Sequence, residues 1–349
     1  MKQFLTMAWL LVVPLGAAEE MDPVFAEWRA RVDPAVEAGL GFLARSQNED
    51  GSFPSSFGDS TGIPALVGMA FLSKGYLPTD ERYGATVNRC IDYILGSQGE
   101  SGVLEKGSGG SGPMYAHNIA TLFLSEVSGQ VDEVRQGRID EVLPGALGLI
   151  LEAQAVPKDE WHRGGWRYHP GSNDSDTSCS GWALMALRSA KLNGAAVPDE
   201  AIGAAVEYLK RHQSGETGSF GYMDTGQNAN TLTGMGLLCL ELCGMHNSAE
   251  ARRAADFVMG SFRTLPGAAH EYYGNYYNAQ GMFQIGGRYW AEYAGWMYEN
   301  YLPKQGGDGA WDTNEAGNIY GTAITILAFT VPYRQLPIYQ RDETVGEDF

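Results

Sequence analysis

One unit recurs along this chain and limits its fold more than any other feature. A helix with apolar residues at helical spacing ends on Gln, a Gly- and aromatic-rich turn follows, and a second, more apolar helix rich in small residues completes the unit. In the first unit, residues 36–43 lead to Gln47, the turn is Asp50-Gly51-Ser52-Phe53, and the second helix starts near Gly62. The second unit has residues 90–95, Gln98, Gly102-Val103 and a helix from about Met114. The third has residues 146–151, Gln154, Gly164-Gly165-Trp166 and a helix from about Thr177. The fourth has residues 205–209, Gln213, a turn from Gly218 to Tyr222 and a helix from about Asn230. The fifth is degenerate, with residues 254–258 leading to Tyr272-Tyr273-Gly274 and a helix from about Tyr276. The sixth runs from Trp290 to Gln305, turns at Asp308-Gly309-Ala310-Trp311 and enters a helix near Asn318.

No single helix pair can bury its apolar face alone, so the pairs must pack side by side. The more apolar second helices belong inside and the first helices outside. Six pairs can close into a ring, which removes the need for capping repeats. The expectation is an all-α fold, an (α/α)6 toroid of six helix hairpins in a single domain over residues 19–335. The 46 glycines among 349 residues fit it. That is about twice the usual ~7%, and reversals between outer and inner helices call for positive φ.

The flanks read differently. Lys2, the apolar run 4–15 and the small residues Gly16-Ala17-Ala18 have the layout of a secretory signal peptide over 1–18. A secreted or periplasmic location is expected from it; an N-terminal anchor helix would need a longer apolar run. Residues 336–349 read as an acidic tail. A formal net charge of −18 argues against nucleic acid and anionic membrane surfaces as partners, and no run after the leader is long enough for a membrane span. Four cysteines, Cys90, Cys179, Cys239 and Cys243, cannot staple a chain this size into a disulfide mini-fold. One bridge is open to them, and sequence does not pair them.

The repeat resembles that of class II terpenoid cyclases and protein prenyltransferase β-subunits, the prenyltransferase and squalene oxidase repeat, with squalene–hopene cyclase and its secreted bacterial relatives nearest. The turns at Asp50, Gly164 and Asp308 carry most of this resemblance, which covers about residues 30–335. It implies a toroid and an apolar isoprenoid-like ligand in the central cavity. A fold hosts many functions, so activity has to be argued from the site.

The richest stretch runs from Trp161 to Cys179. Two carboxylates facing an apolar cavity can hold one proton as a strong acid, because repulsion and desolvation raise one pKa. Class II cyclases use Asp-x-Asp-Asp-Thr in this way, with the middle Asp as acid. Aligned on Thr177, Ser175 takes the acid's place; aligned from the left, Asp174-Ser175-Asp176 keeps an acid but lacks one Asp. Asp176 as acid with Asp174 as partner is therefore the candidate catalytic pair. The competing reading makes Asp174, Asp176 and Thr177 helix caps.

No metal is expected and no cofactor is called for. The zinc site of prenyltransferase β-subunits needs Asp-x-Cys and a later His; Cys179 matches, but Thr177 replaces the Asp, and later inner helices open with Asn230-Thr231 and Asn318 instead of His. His162, His169, Asp176 and Cys179 have the residue types for an improvised site without its spacing. Candidate ligand-binding residues are Trp166, Tyr168, His117, Tyr272, Tyr276 and Tyr277. His117 is also readable as a hydrogen-bonded structural residue, and Trp166, Phe220, Tyr222 and Trp311 as stacking between repeats. Phosphate-loop, His-Glu-x-x-His, Gly-x-Ser-x-Gly and thioester Cys-Gly-Glu-Gln motifs are absent.

Three functions stay open at this point. One is a non-catalytic exported protein binding an isoprenoid-like molecule or a protein partner. Another is a cyclase-type isomerase using Asp176. The last is a carbohydrate-active (α/α)6 barrel with carboxylates such as Asp176, Glu271 or Asp308.

Overall fold

The computed structural model describes residues 22–99, 101–107, 112–313 and 316–339. The signal peptide expected over 1–18 and the tail beyond Tyr339 lie outside them. The described residues form twelve α-helices and no strand. The outer helices are α1 (Pro23–Ser46), α3 (Gly84–Leu95), α5 (Glu133–Ala155), α7 (Asp199–His212), α9 (Ala249–Ser261) and α11 (Gly287–Tyr301). The inner helices are α2 (Gly62–Ser73), α4 (Met114–Val127), α6 (Thr177–Leu192), α8 (Ala229–Leu242), α10 (Glu271–Ile285) and α12 (Gly317–Phe329). Each inner helix packs on the next, and α12 closes on α2. This is the expected (α/α)6 toroid.

The repeated Gln and Gly are what tie one unit to the next. Gln154 donates through Nε2 to the Gly164 carbonyl in its own turn and to the Ala201 carbonyl of the following outer helix, both at 2.9 Å. Gln305 does the same with Gly309 and with Ala35 of α1, both at 2.8 Å, which joins the last unit to the first. Gly164 and Gly309 have φ of +87° and +95°. A Cβ on either would stand 2.2 and 2.4 Å from a carbonyl oxygen of the next outer helix. Only glycine satisfies both conditions. The turn tryptophans then point inward: Trp166 Nε1 donates to Ile150 O at 2.7 Å and Trp311 Nε1 to Tyr301 O at 2.8 Å, with both side chains buried.

The inner helices are apolar on most sides because they contact neighbours all round. Helices α8 and α10 approach so closely that a Cβ on Gly234 would lie 2.5 Å from the Asn278 backbone nitrogen and 2.2 Å from its Oδ1. Gly234→Ala should therefore cost about 1–3 kcal/mol of stability, the range for overpacking, read in a denaturant titration.

At the far end of the ring, by the C-termini of the inner helices, residues 331–339 pack across the helices. Turns at Val331–Tyr333 and Pro337–Tyr339 pack against α10, α12 and α6, and Leu336, Ile338 and Tyr339 are buried. Packed structure thus extends through Tyr339, into the segment that the sequence assigns to the tail. The fully buried Glu126 of α4 accepts from Ile338 N at 3.2 Å and from the Ser189 hydroxyl. Burial pushes its carboxyl from 4.5 up to about 7. The fold prefers the protonated form, so its contribution is complete below pH 4.5 and is lost as pH rises toward 7. At about 1.4 kcal/mol per pH unit, the loss is roughly 3 kcal/mol. Glu126→Gln should flatten that part of the stability–pH curve, measured by denaturation between pH 4 and 8.

Candidate ligand-binding site

All six inner helices begin at the same end of the ring, and their first turns surround a cavity of about 910 Å³. Ile63 and Leu66 of α2, Ala116 and Ile119 of α4 and Leu232 of α8 give it apolar walls. Six tyrosines border it: Tyr115, Tyr168, Tyr222, Tyr272, Tyr273 and Tyr320. Its lower limit is aromatic. The Tyr115 hydroxyl donates to Tyr273 at 2.6 Å, and Trp182 stacks on Tyr276 at 5.8 Å between ring centroids and meets Tyr277 edge-on at 5.5 Å.

Tyr168 and Tyr272, both singled out from sequence, line this cavity. Four other candidate ligand-binding residues do not. Trp166 is buried in its turn. Tyr276 and Tyr277 lie in the packed aromatic layer rather than on the cavity wall. His117 is fully buried; Nδ1 accepts from Leu104 N at 3.0 Å and Nε2 faces Ala146 O at 3.1 Å. Burial lowers its pKa to about 4, so it stays neutral and ties the α3–α4 connection to α5.

Asp176 is the N-cap of α6. Its Oδ1 accepts from Cys179 N at 2.8 Å and from the Ser178 hydroxyl at 2.6 Å, and its Oδ2 pairs with Arg167 Nη1 at 3.0 Å. Burial raises its carboxyl pKa, opposed by these three donors. The side chain is 0% exposed and both oxygens are occupied. A proton donor to a bound ligand needs an oxygen open to the cavity. Asp174, partly exposed, pairs with Arg167 Nε at 3.2 Å, and neither Asp borders the cavity.

The zinc-type residues are not gathered, and among the described residues no cluster of metal-ligating side chains forms. His162 Nδ1 accepts from Ser175 N at 3.2 Å and contacts its hydroxyl at 3.0 Å, whereas His169 is exposed. Cys179 is buried and its thiol is pushed well up by burial. All four cysteines are free.

The carboxylates that do border the cavity are Glu105, Glu271 and Asp312. Glu105 accepts from Thr61 N and Oγ1 at 3.0 and 2.8 Å, and burial raises its pKa against those bonds. Glu271 accepts from Gly267 N at 2.7 Å and pairs with Lys304. Asp308 lies away from the cavity, on an outer turn where it accepts from Ala310 N at 3.1 Å. Sequence reading missed Tyr115, Tyr222, Tyr320 and Glu105 as cavity residues. The available signal was register: the first turn of every inner helix faces the same mouth.

No protein-family model matches the chain, and no curated protein does. Solved structures share its fold. An inactive variant of the alpha-1,6-mannanase GH76A of Salegentibacter sp. HEL1_6, in complex with alpha-1,6-mannotriose, superposes with a TM-score of 0.63 at 11% identity, covering 87% of this chain and 99% of that one. The type II terpene cyclase MstE from Scytonema gives 0.59 at 12% identity, covering 88% and 100%. A variant of that cyclase with its substrate geranylgeranyl dihydroxybenzoate gives 0.55 at 12% identity, covering 89% and 99%. The (α/α)6 toroid is thus common to a glycosidase and a terpene cyclase, and at such identities the likeness is one of fold.

Proposed function

We propose that this is an exported binding protein that holds a small amphipathic, isoprenoid-like molecule in the mouth of the toroid. The carrying observation is the cavity's two-sided chemistry. Ile63, Leu66, Ala116, Ile119 and Leu232 offer an apolar bed, and the tyrosine hydroxyls offer polar contacts to one end of a ligand. Its volume, about 910 Å³, lies in the range of small-molecule sites. The reading calls on no chemical step: Glu105 and Glu271 are engaged by protein donors, and Asp176 is sealed beneath the wall. The leader-like residues 1–18 support export.

Cyclisation draws less support from this geometry. Aromatic faces stabilise a carbocation only if they are free to do so. The Arg167 guanidinium already sits 4.9 Å from the Tyr168 ring centroid and 5.3 Å from that of Tyr222. Those two rings are thus already engaged by a cation.

A glycan is the second reading, favoured by Gln227, Asn228, Thr231 and Asp312 on the cavity wall and by the mannanase fold. Calorimetric titration with geranylgeraniol and with alpha-1,6-mannotriose separates the two. Saturable binding of geranylgeraniol is expected. Binding of mannotriose alone would transfer the site to the glycan reading, and binding of neither would overturn both.

A further inference from the structure

Beside the apolar bed, the cavity wall carries a chain of hydrogen bonds headed by a group that can only donate. Arg167 Nη1 donates to Asp176 Oδ2 at 3.0 Å and to Tyr222 Oη at 2.8 Å. The Tyr222 and Tyr168 hydroxyls are 2.5 Å apart. Two phenols carry two protons, and their mutual contact uses one. Arg167, which has no acceptor, occupies a lone pair of Tyr222 and cannot take the other proton. That remaining proton has no acceptor among the described residues and belongs to a pair of side chains on the cavity wall. Asp176 and Asp174 hold the guanidinium on both its edges, so the donor's position is set from behind the wall.

We propose that the Arg167–Tyr222–Tyr168 chain is a specificity element that presents one phenolic proton to an acceptor oxygen of the ligand. The site then selects an alcohol, ketone or ether over a hydrocarbon of the same shape, and over an ammonium, which has no lone pair to accept that proton. Arg167 acts as a positioning residue, and the two tyrosines make the contact. The inference rests on the reading of the bowl as a binding site for an isoprenoid-like molecule. It also gives the Asp pair a purpose that the sequence pattern hid, as the anchor of a donor rather than an acid.

The test is a comparison of affinities for geranylgeraniol, the matching C20 polyprenyl hydrocarbon and geranylgeranylamine. For the unaltered protein the alcohol should bind about tenfold tighter than the hydrocarbon, the worth of one net hydrogen bond, and tighter than the amine. In Tyr168→Phe/Tyr222→Phe, which removes both protons, the alcohol-to-hydrocarbon ratio should fall to near one. Arg167→Lys keeps a cation for Asp176 but cannot reproduce the fork, and should lower the same ratio. Circular dichroism of each variant separates lost selectivity from lost fold. Equal binding of alcohol and hydrocarbon by the unaltered protein, or a ratio undiminished in the double variant, would overturn the inference and leave the bowl reading standing. Absence of binding by all three compounds would instead remove the bowl reading on which it rests.

Discussion

Asp176→Ala is expected to destabilise the toroid by about 3–5 kcal/mol, the cost of breaking a buried ion pair by removing one partner. The substitution leaves Arg167 without its buried carboxylate and strips the cap from α6, where Asp176 receives the Cys179 N–H at 2.8 Å. It also unpairs the Ser178 hydroxyl inside the wall. Asp174→Ala is the control. That side chain is 37% exposed, and its bond to Arg167 is worth at most about 1 kcal/mol. Urea denaturation of both variants reads the difference. Equal small effects would mean that Asp176 is not the structural anchor described above.

The second large effect is expected at the ring's closure. Trp311 is fully buried between the last unit and the first. Its indole donates to Tyr301 O, its ring meets Phe329 at 5.7 Å, and a Cβ added to Gly39 of α1 would come within 3.0 Å of it. Trp311→Ala should cost about 3–5 kcal/mol, as for other fully buried tryptophans. Because the contact joins residues far apart in sequence, thermal unfolding should also become less cooperative if the first and last units separate early. A loss under about 1 kcal/mol would show that the ring does not depend on this seam.

Most of the fold could be read from the chain, for a reason visible in the turns. Each Gln–Gly signature is a physical joint between neighbouring units, so its recurrence marks the unit borders; the inner helices at Gly62, Met114 and Thr177 begin where the pattern puts them. The fifth unit shows where this fails. Gly274 looks like a turn glycine in Tyr272-Tyr273-Gly274, but it lies inside α10, where a Cβ would stand 3.1 Å from the Thr231 Cα of α8. Its role is close helix packing. The turn is made instead by Gly267 and His270, with φ of +81° and +59°.

That misplacement carried over to the site. A helix starting at Tyr276 would put Tyr276 and Tyr277 at the mouth; starting at Glu271, it puts Tyr272 and Tyr273 there. Five residues of α-helix amount to ~7.5 Å of depth. The Asp motif was ambiguous for another reason. A helix cap and a cavity acid call for the same residue at the same position, and only the partners of the two oxygens distinguish them. The hydroxyl pair of Tyr168 and Tyr222 joins residues 54 apart in sequence and leaves no local pattern.

The central claim is that the tyrosine-lined mouth of the ring holds the ligand, and a crystal structure of the protein with geranylgeraniol tests it most directly. The account predicts ligand density along Ile63, Leu66 and Leu232, with the alcohol oxygen at hydrogen-bond distance from the Tyr168 or Tyr222 hydroxyl. Density elsewhere on the molecule, or a chain reaching Asp176 through a rearranged wall, would contradict it.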